Sequence, residues 1–363
     1  MIKVYVSEND ILLMNKWHST PFLMEPESFQ FTDDIDEADM FALLPDADLC
    51  YAQYNTLKDK CQGKLILVLF IYHITEGHTI NDVKNVYEKV FHNYRDNLIY
   101  VHTDRDNPTG VYYDFLWNRQ KACFQDFDTF NLNNTVYLGD VDSSMFELPE
   151  FKKTKNPKIF LAPNRIHGDP SNLSDRQFRR IVLKHYLQGK NGYLSDPENG
   201  VIFKPNGLIR TDGIGFEGFN PVHNKYYTDS FISIYVETLT HFNNHHHKVL
   251  HSITEKTWNP LIKGHYILPY GYCGMVKHIR EYGFVFPDWI NYHYDGIEDD
   301  NDRFLAYIIE VNRLTSLPIE FYQEQFERDK SLLEYNRNLF FDNGYDKLYQ
   351  KIMEYLNRDN ENQ

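Results

Sequence analysis

Glu237 closes an apolar run, Phe231-Ile-Ser-Ile-Tyr-Val236, and after a polar loop the chain continues Ser252-Ile-Thr-Glu-Lys-Thr-Trp258. The first run reads as a buried strand ending in a carboxylate, and the second opens a helix. Thr254 is the candidate N-cap, and Trp258, Leu261 and Ile262 fall at helical spacing. Pro260 is placed in a first turn that tolerates it, and Gly264 ends the run before a short strand, Tyr266 to Tyr270. A helix N-terminus beside the carboxyl edge of a sheet offers backbone N–H groups and a positive dipole end to an anion. Lys256 would add a full charge there, and Glu255 could accept hydrogen bonds from sugar hydroxyls, so the pair suits a ribose carrying a diphosphate. On the residues alone the same pair also reads as ordinary solvated first-turn charges, with Glu255 complementing the dipole.

The elements that must position these groups alternate through the whole chain. In the first half Ile2 to Val6, Ala38 to Leu44, Lys64 to Tyr72, Asn97 to His102 and Asn134 to Leu138 read as strands. The run Lys64-Leu-Ile-Leu-Val-Leu-Phe-Ile-Tyr72 is apolar enough to be buried on both faces. Asp82 to Asn93 and Tyr112 to Phe124 read as helices between them, the rhythm of an open parallel sheet. A charged stretch from Glu150 to Pro157 reads as a linker, after which Lys158 to Pro163 begins a second series with the helix Ser174 to Leu187. Gly189 to Asn224, rich in glycine and proline, is expected to be a long irregular insertion, since Gly213-Ile-Gly215 lacks the spacing of a phosphate loop. Arg303 to Arg313, Ile319 to Phe340 and Tyr345 to Leu356 read as helices, with Pro318 separating the first two.

The run Ile253-Thr-Glu-Lys-Thr-Trp-Asn-Pro-Leu-Ile-Lys-Gly264, with Glu237 before it and Tyr266 to Tyr270 and Met275-Val-Lys-His-Ile-Arg-Glu-Tyr-Gly-Phe284 after it, resembles the donor-binding half of glycosyltransferases of the GT-B type. It is closest to the exostosin-like and fucosyltransferase-like groups, and Asp36-Glu-Ala-Asp-Met-Phe-Ala-Leu-Leu-Pro45 also resembles an exostosin-like segment. The resemblance implies an α/β chain of two Rossmann-like domains with mainly parallel sheets facing across a cleft. Residues 1–150 would form the acceptor side, 151–340 the nucleotide-sugar donor domain, and 341–363 a terminal helix packing back on the first domain.

It implies further that Arg165 and Lys256 bind the donor diphosphate, with the helix start at Thr254 assisting. Glu255 would hold the ribose, Glu237 would lie near sugar or ribose, and Arg176 is a weaker donor-site candidate. On the residues alone Arg165 is equally a surface arginine paired with Asp169 or Asp175, and Arg179 and Arg180 read as solvated. A general base for the acceptor hydroxyl would follow a first-domain strand. Glu76 is the first candidate and His73 the second, with Glu8, Asp104 and Asp106 in comparable places.

Asp46-Ala-Asp48 and Asp140-Val-Asp142 have the spacing of a metal-binding pair but lie in the acceptor half, so a transfer needing no cofactor beyond the nucleotide-sugar is expected. The run His245-His246-His247, with His241 and His251 near it, is the competing metal candidate, without the spacing of a zinc framework. A formal charge of −15 disfavours a partner gripped through nucleic-acid phosphates. The expected partners are a nucleotide-sugar and a glycan or glycoconjugate. A catalytically inactive binding module of the same fold, or a sugar transferase acting on nucleic acid, is the alternative. No apolar run is long enough to span a membrane, and Cys50, Cys61, Cys123 and Cys273 form no framework, so a cytoplasmic location is expected.

Overall fold

The computed structural model describes residues 2–5, 29–32, 34–43, 60–61, 64–70, 97–102, 111–112, 147–164, 175–196, 201–204, 207–210, 224–237, 253–342 and 346–361, with 117, 121 and 124. The chain divides into two compact units. One contains residues 1–137, 242–252 and 343–363, and the other residues 138–241 and 253–342. Residues 150–157 belong to the second unit.

Among the described residues of the first unit six strands form one sheet: β1 (Ile2–Tyr5), β2 (Phe29–Thr32), β3 (Met40–Leu43), β4 (Leu65–Phe70), β5 (Leu98–His102) and β6 (Val111–Tyr112). Their order is β2-β1-β3-β4-β5-β6 and every pairing is parallel. Leu65, Ile66, Leu67 and Val68 are fully buried, as a central strand covered on both faces requires. The chain turns one way from β1 to β2 and the other way from β3 onward, so the doubly wound switch lies between β1 and β3. The expected strand Asn134 to Leu138 and helix Asp82 to Asn93 lie outside the described residues.

The second unit's sheet contains β7 (Lys158–Ala162), β8 (Gly192–Asp196), β9 (Val201–Lys204), β10 (Gly207–Arg210), β11 (Ser230–Val236) and β12 (Tyr266–Tyr270), ordered β10-β9-β8-β7-β11-β12. β8, β7, β11 and β12 are mutually parallel, whereas β9 runs antiparallel to β8 and β10 antiparallel to β9. Here the switch point falls between β7 and β11. The expectation of an irregular excursion from Gly189 to Asn224 is corrected: three strands lie within it. Val201-Ile-Phe-Lys204 and Gly207-Leu-Ile-Arg210 pair as a hairpin across a two-residue connection. At the start of β8 the residue is glycine where a Cβ would come within 2.4 Å of the Phe160 ring on β7.

The helices described are α1 (Asp175–Leu187), α2 (Asn224–Thr228), α3 (Glu255–Ile262), α4 (Met275–Glu281), α5 (Asp300–Thr315), α6 (Ile319–Arg328), α7 (Lys330–Asp342) and, in the first unit, α8 (Asp346–Glu361). Ile319 to Phe340 is thus two helices, not one. The break is at Asp329, whose carboxylate receives hydrogen bonds from Tyr266 Oη at 3.2 Å and Trp289 Nε1 at 3.0 Å, anchoring the corner to β12. The outer edge of β12 is closed by tyrosines: Tyr292 donates to the Ile267 carbonyl at 2.8 Å and Tyr294 to the Pro269 carbonyl at 2.6 Å.

At the amino end of the same sheet several basic side chains are buried together. His265 is 1% exposed and bonds Ser233 Oγ through Nδ1 at 3.0 Å and the Tyr227 carbonyl through Nε2 at 2.8 Å, which makes Nε2 the donor. Lys153 also donates to that carbonyl, and Lys263 Nζ lies 4.9 Å from the Tyr227 ring centre. Burial, then the Lys153 charge, holds the His265 pKa well below its ordinary value, and burial brings Lys263 down to about 7.

Candidate functional site at the carboxyl edge of the second sheet

Three elements meet where β7 and β11 part. Asn164, two residues beyond β7, is buried and bridges the strands: its Nδ2 donates to the Ile234 carbonyl at 3.2 Å, and its Oδ1 accepts from the Val236 amide at 2.7 Å. The next carbonyls along β11 are held from α1. Arg180 Nη2 reaches Val236 O at 3.0 Å and Glu237 O at 3.5 Å. The expectation that Arg179 and Arg180 are solvated is therefore corrected, for both are buried. Arg179 pairs with Asp300 and lies 5.4 Å from the Tyr270 ring and 4.9 Å from the Phe304 ring. Arg303 also pairs with Asp300, and Tyr270 Oη donates to Asp300 Oδ1 at 2.7 Å. These arginines do what the strand ends require, satisfying carbonyls and a carboxylate that burial would otherwise leave unpaired.

Glu237 leaves β11 with its amide still bonded to the Tyr270 carbonyl of β12 at 2.8 Å. Its side chain is fully buried and turns onto the start of α3. Oε1 accepts from the Thr254 amide at 2.9 Å and the Thr257 hydroxyl at 3.0 Å, and Oε2 accepts from the Thr254 hydroxyl at 2.6 Å. Tyr235 Oη extends the chain by donating to Thr257 Oγ1 at 2.8 Å. The carboxylate expected to meet a sugar is thus committed to the helix N-terminus, where its charge complements the dipole. It builds the site and holds Thr254, with both oxygens already engaged by hydroxyl and amide donors.

Thr254 is the N-cap of α3, as its type and place predict, its hydroxyl accepting from the Lys256 amide at 3.4 Å. Pro260 lies one turn deeper than the sequence suggested and has no N–H to offer the Lys256 carbonyl. Glu255 and Lys256 are not solvated surface charges: their side chains are 6% and 10% exposed. They pair with each other, Lys256 Nζ lying 2.9 Å from Glu255 Oε1 and 3.4 Å from Thr254 Oγ1. One carboxylate and one ammonium are therefore held side by side at the carboxyl edge, beside the strand switch. Opposite charges so placed can receive a ligand that carries both hydroxyls and an anion.

Of the other sequence-derived candidates, Arg165, Glu76 and His73 lie outside the described residues, as do Glu8, Asp104, Asp106 and the five histidines from His241 to His251. Arg176 is on the first turn of α1, with its backbone alone described. Among the described residues no group of three or more His, Cys, Asp or Glu side chains is arranged to hold a metal ion, and no helix is long and apolar enough to cross a membrane. Asn164, Arg180 and Asp300 were missed by sequence reasoning. Asn164 carried a signal, a buried-capable amide just past a strand's carboxyl end, but the arginines carried none apart from their helix.

No family model, no curated protein and no solved structure matches the chain.

Proposed function

We propose that the chain is a glycosyltransferase that moves a sugar from a nucleoside-diphosphate donor to a hydroxyl of a glycan or glycoconjugate. The observation that carries this reading is the buried Glu255–Lys256 pair opening α3 at the carboxyl edge of β11, beside the β7/β11 switch point. The doubly wound order of both sheets supports it, as does the resemblance of residues 253–284 to donor-binding domains. In this reading residues 1–150 serve the acceptor, 151–340 bind the donor, and 341–363 pack back on the first domain in two Rossmann-like lobes facing a cleft.

The acceptor oxygen bonds to the anomeric carbon as that carbon's bond to the diphosphate oxygen breaks, and the hydroxyl proton passes to a base. Glu76 is the first candidate for that base and His73 the second. Lys256, with Arg165 and Arg176 as further donor-side cations, stabilises the charge gathering on the departing diphosphate, and Glu255 accepts from ribose hydroxyls. Glu237 and Thr254 keep the pair in place. The side-chain cations take the part a divalent ion would otherwise play, and the enzyme acts in the cytoplasm.

Calorimetric titration with a panel of nucleoside diphosphates, followed by a donor-hydrolysis assay with whichever binds, tests the reading. Micromolar or tighter binding of one diphosphate with sugar release supports it. Binding without release would make the protein a nucleotide-binding module, and no binding by any member would remove the proposal.

A further inference from the structure

α5 carries an outward ridge that the core does not explain. Leu305 is 58% exposed and Ile309 62% exposed, although the helix buries Phe304, Tyr307, Ile308, Val311 and Leu314 on its other side. Asp302 and Arg313 are exposed as well. The spacing 302, 305, 309, 313 is a three-four-four step, which keeps all four residues on one stripe of an α-helix. Read along the helix the stripe is an acid, two branched aliphatics and a base.

The helix packed against α5 is α1. α1 runs beside α5 in the same direction, since Arg179 reaches Asp300 and Asn301 at the start of α5 while Lys190, just past α1, donates to Asn312 Oδ1 at 2.8 Å and Thr315 Oγ1 at 2.6 Å at its end. Phe178 on α1 is 57% exposed. Isolated exposed leucines need no explanation, but two branched aliphatics one turn apart on a single stripe form a ridge.

We propose that this face pairs with the same face of a second copy of the chain, the two α5 helices crossing antiparallel about a twofold axis near position 307. The charge pattern selects this occupant. A twofold near 307 sets Leu305 against Ile309 of the other copy, and it brings Asp302 within one residue's rise of Arg313 of the other copy, twice by symmetry. A parallel arrangement would instead place like charges together. The interface is isologous, so each copy supplies both halves of every pair. Left-handed packing near 20° lets such a stripe interdigitate. One ridge lies at the small end of specific interfaces, so association depends on concentration in the micromolar range.

Sedimentation velocity of the full chain from about 1 to 200 µM tests this. The wild type is expected to pass from monomer to dimer across that range, and Leu305→Glu to remain monomeric with an unchanged melting curve. Asp302→Arg and Arg313→Asp each turn two attractive pairs into repulsive ones and should weaken self-association by roughly tenfold or more. An equal mixture of the two should restore dimers, because both pairs become complementary again. Arg313 also bonds Glu310 and the Trp289 carbonyl. A readout that leaves Arg313 intact is therefore added: Leu305→Cys mixed with Ile309→Cys should form the mixed disulfide faster than either variant couples to itself. A wild-type chain that stays monomeric throughout, a Leu305→Glu variant that dimerises normally, or no preference for the mixed disulfide would each overturn the proposal.

Discussion

Glu237 and Thr254 are joined twice, the Thr254 amide donating to one carboxylate oxygen at 2.9 Å and its hydroxyl to the other at 2.6 Å. The end of β11 and the start of α3 are thereby fixed to each other, and the Glu255–Lys256 pair inherits its position from that link. Glu237→Gln retains the volume but replaces one acceptor oxygen by a donor that faces another donor. A charge-assisted hydrogen bond contributes about 1.5–3 kcal/mol, so the variant should lose about 2–3 kcal/mol of stability. The lowered midpoint of urea unfolding would show it. An unchanged midpoint would mean that α3 starts equally well without the carboxylate.

Gly192→Ala tests the packing of β8 on β7. The new methyl would meet the Phe160 ring, which is itself fully buried and cannot swing into solvent. Overpacking of this kind costs about 1–3 kcal/mol. Trimming the ring in Gly192→Ala/Phe160→Leu should recover part of the loss, a recovery that a purely backbone effect would not give.

His265 makes stability depend on pH. Its folded pKa is lowered by burial first and then by the Lys153 and Lys263 charges, against the raising influence of the Tyr227 and Ser230 backbone hydrogen bonds. As pH falls through the unfolded value of about 6.5 the unfolded chain takes up a proton that the folded chain refuses, so stability drops. The loss approaches about 1.4 kcal/mol per pH unit for one proton. His265→Gln should flatten the profile of unfolding midpoints between pH 6.5 and 5 relative to wild type. Parallel profiles would show that the imidazole is protonated without penalty.

How much of this was legible beforehand depended on whether a residue's role was local. Thr254 as N-cap, the apolar run from Leu65 and the separation at Pro318 all followed from neighbours in sequence. The hairpin at 201–210 did not, because its strands are four residues each and its glycine reads as a breaker until the partner strand is known. Arg179 and Arg180 read as solvated because helix charges usually are. What buries them is β11 ending beneath Arg180 and Asp300 facing Arg179, both tertiary facts. Glu237 shows the same limit. Its position at a strand end was correct, but which donors its oxygens face is decided by Thr254 and Thr257, some twenty residues away.

Lys263 should be a stabilising site for substitution. It is 3% exposed, and burial lowers its pKa from 10.5 to about 7. The unfolded chain binds the proton more readily, so wild-type stability rises as pH climbs from about 7 toward 10.5. Lys263→Met keeps the length of the side chain without the charge and should gain about 1–3 kcal/mol at neutral pH. The gain should shrink by pH 10, where the folded amine is already neutral and the unfolded one is losing its proton. A gain independent of pH would locate the effect in packing and not in the ammonium.

Lys256 separates the proposed phosphate contact from a purely structural role. Its ammonium is paired with Glu255 at 2.9 Å, and an incoming diphosphate would have to share or replace that partner. Lys256→Ala should therefore weaken binding of the cognate nucleoside diphosphate by about 1.5–3 kcal/mol while leaving the bare nucleoside almost unaffected, since a nucleoside offers no phosphate to lose. Glu255→Gln should weaken both ligands to a similar degree, because ribose is common to them. Only the lysine variant therefore discriminates between the two ligands in the same calorimetric titration, and thermal unfolding of each without ligand gives the structural share. If Lys256→Ala weakened nucleoside and diphosphate alike, the lysine would be serving only to hold Glu255 and Thr254 in place, and the diphosphate would have to be sought at other cations of the same edge.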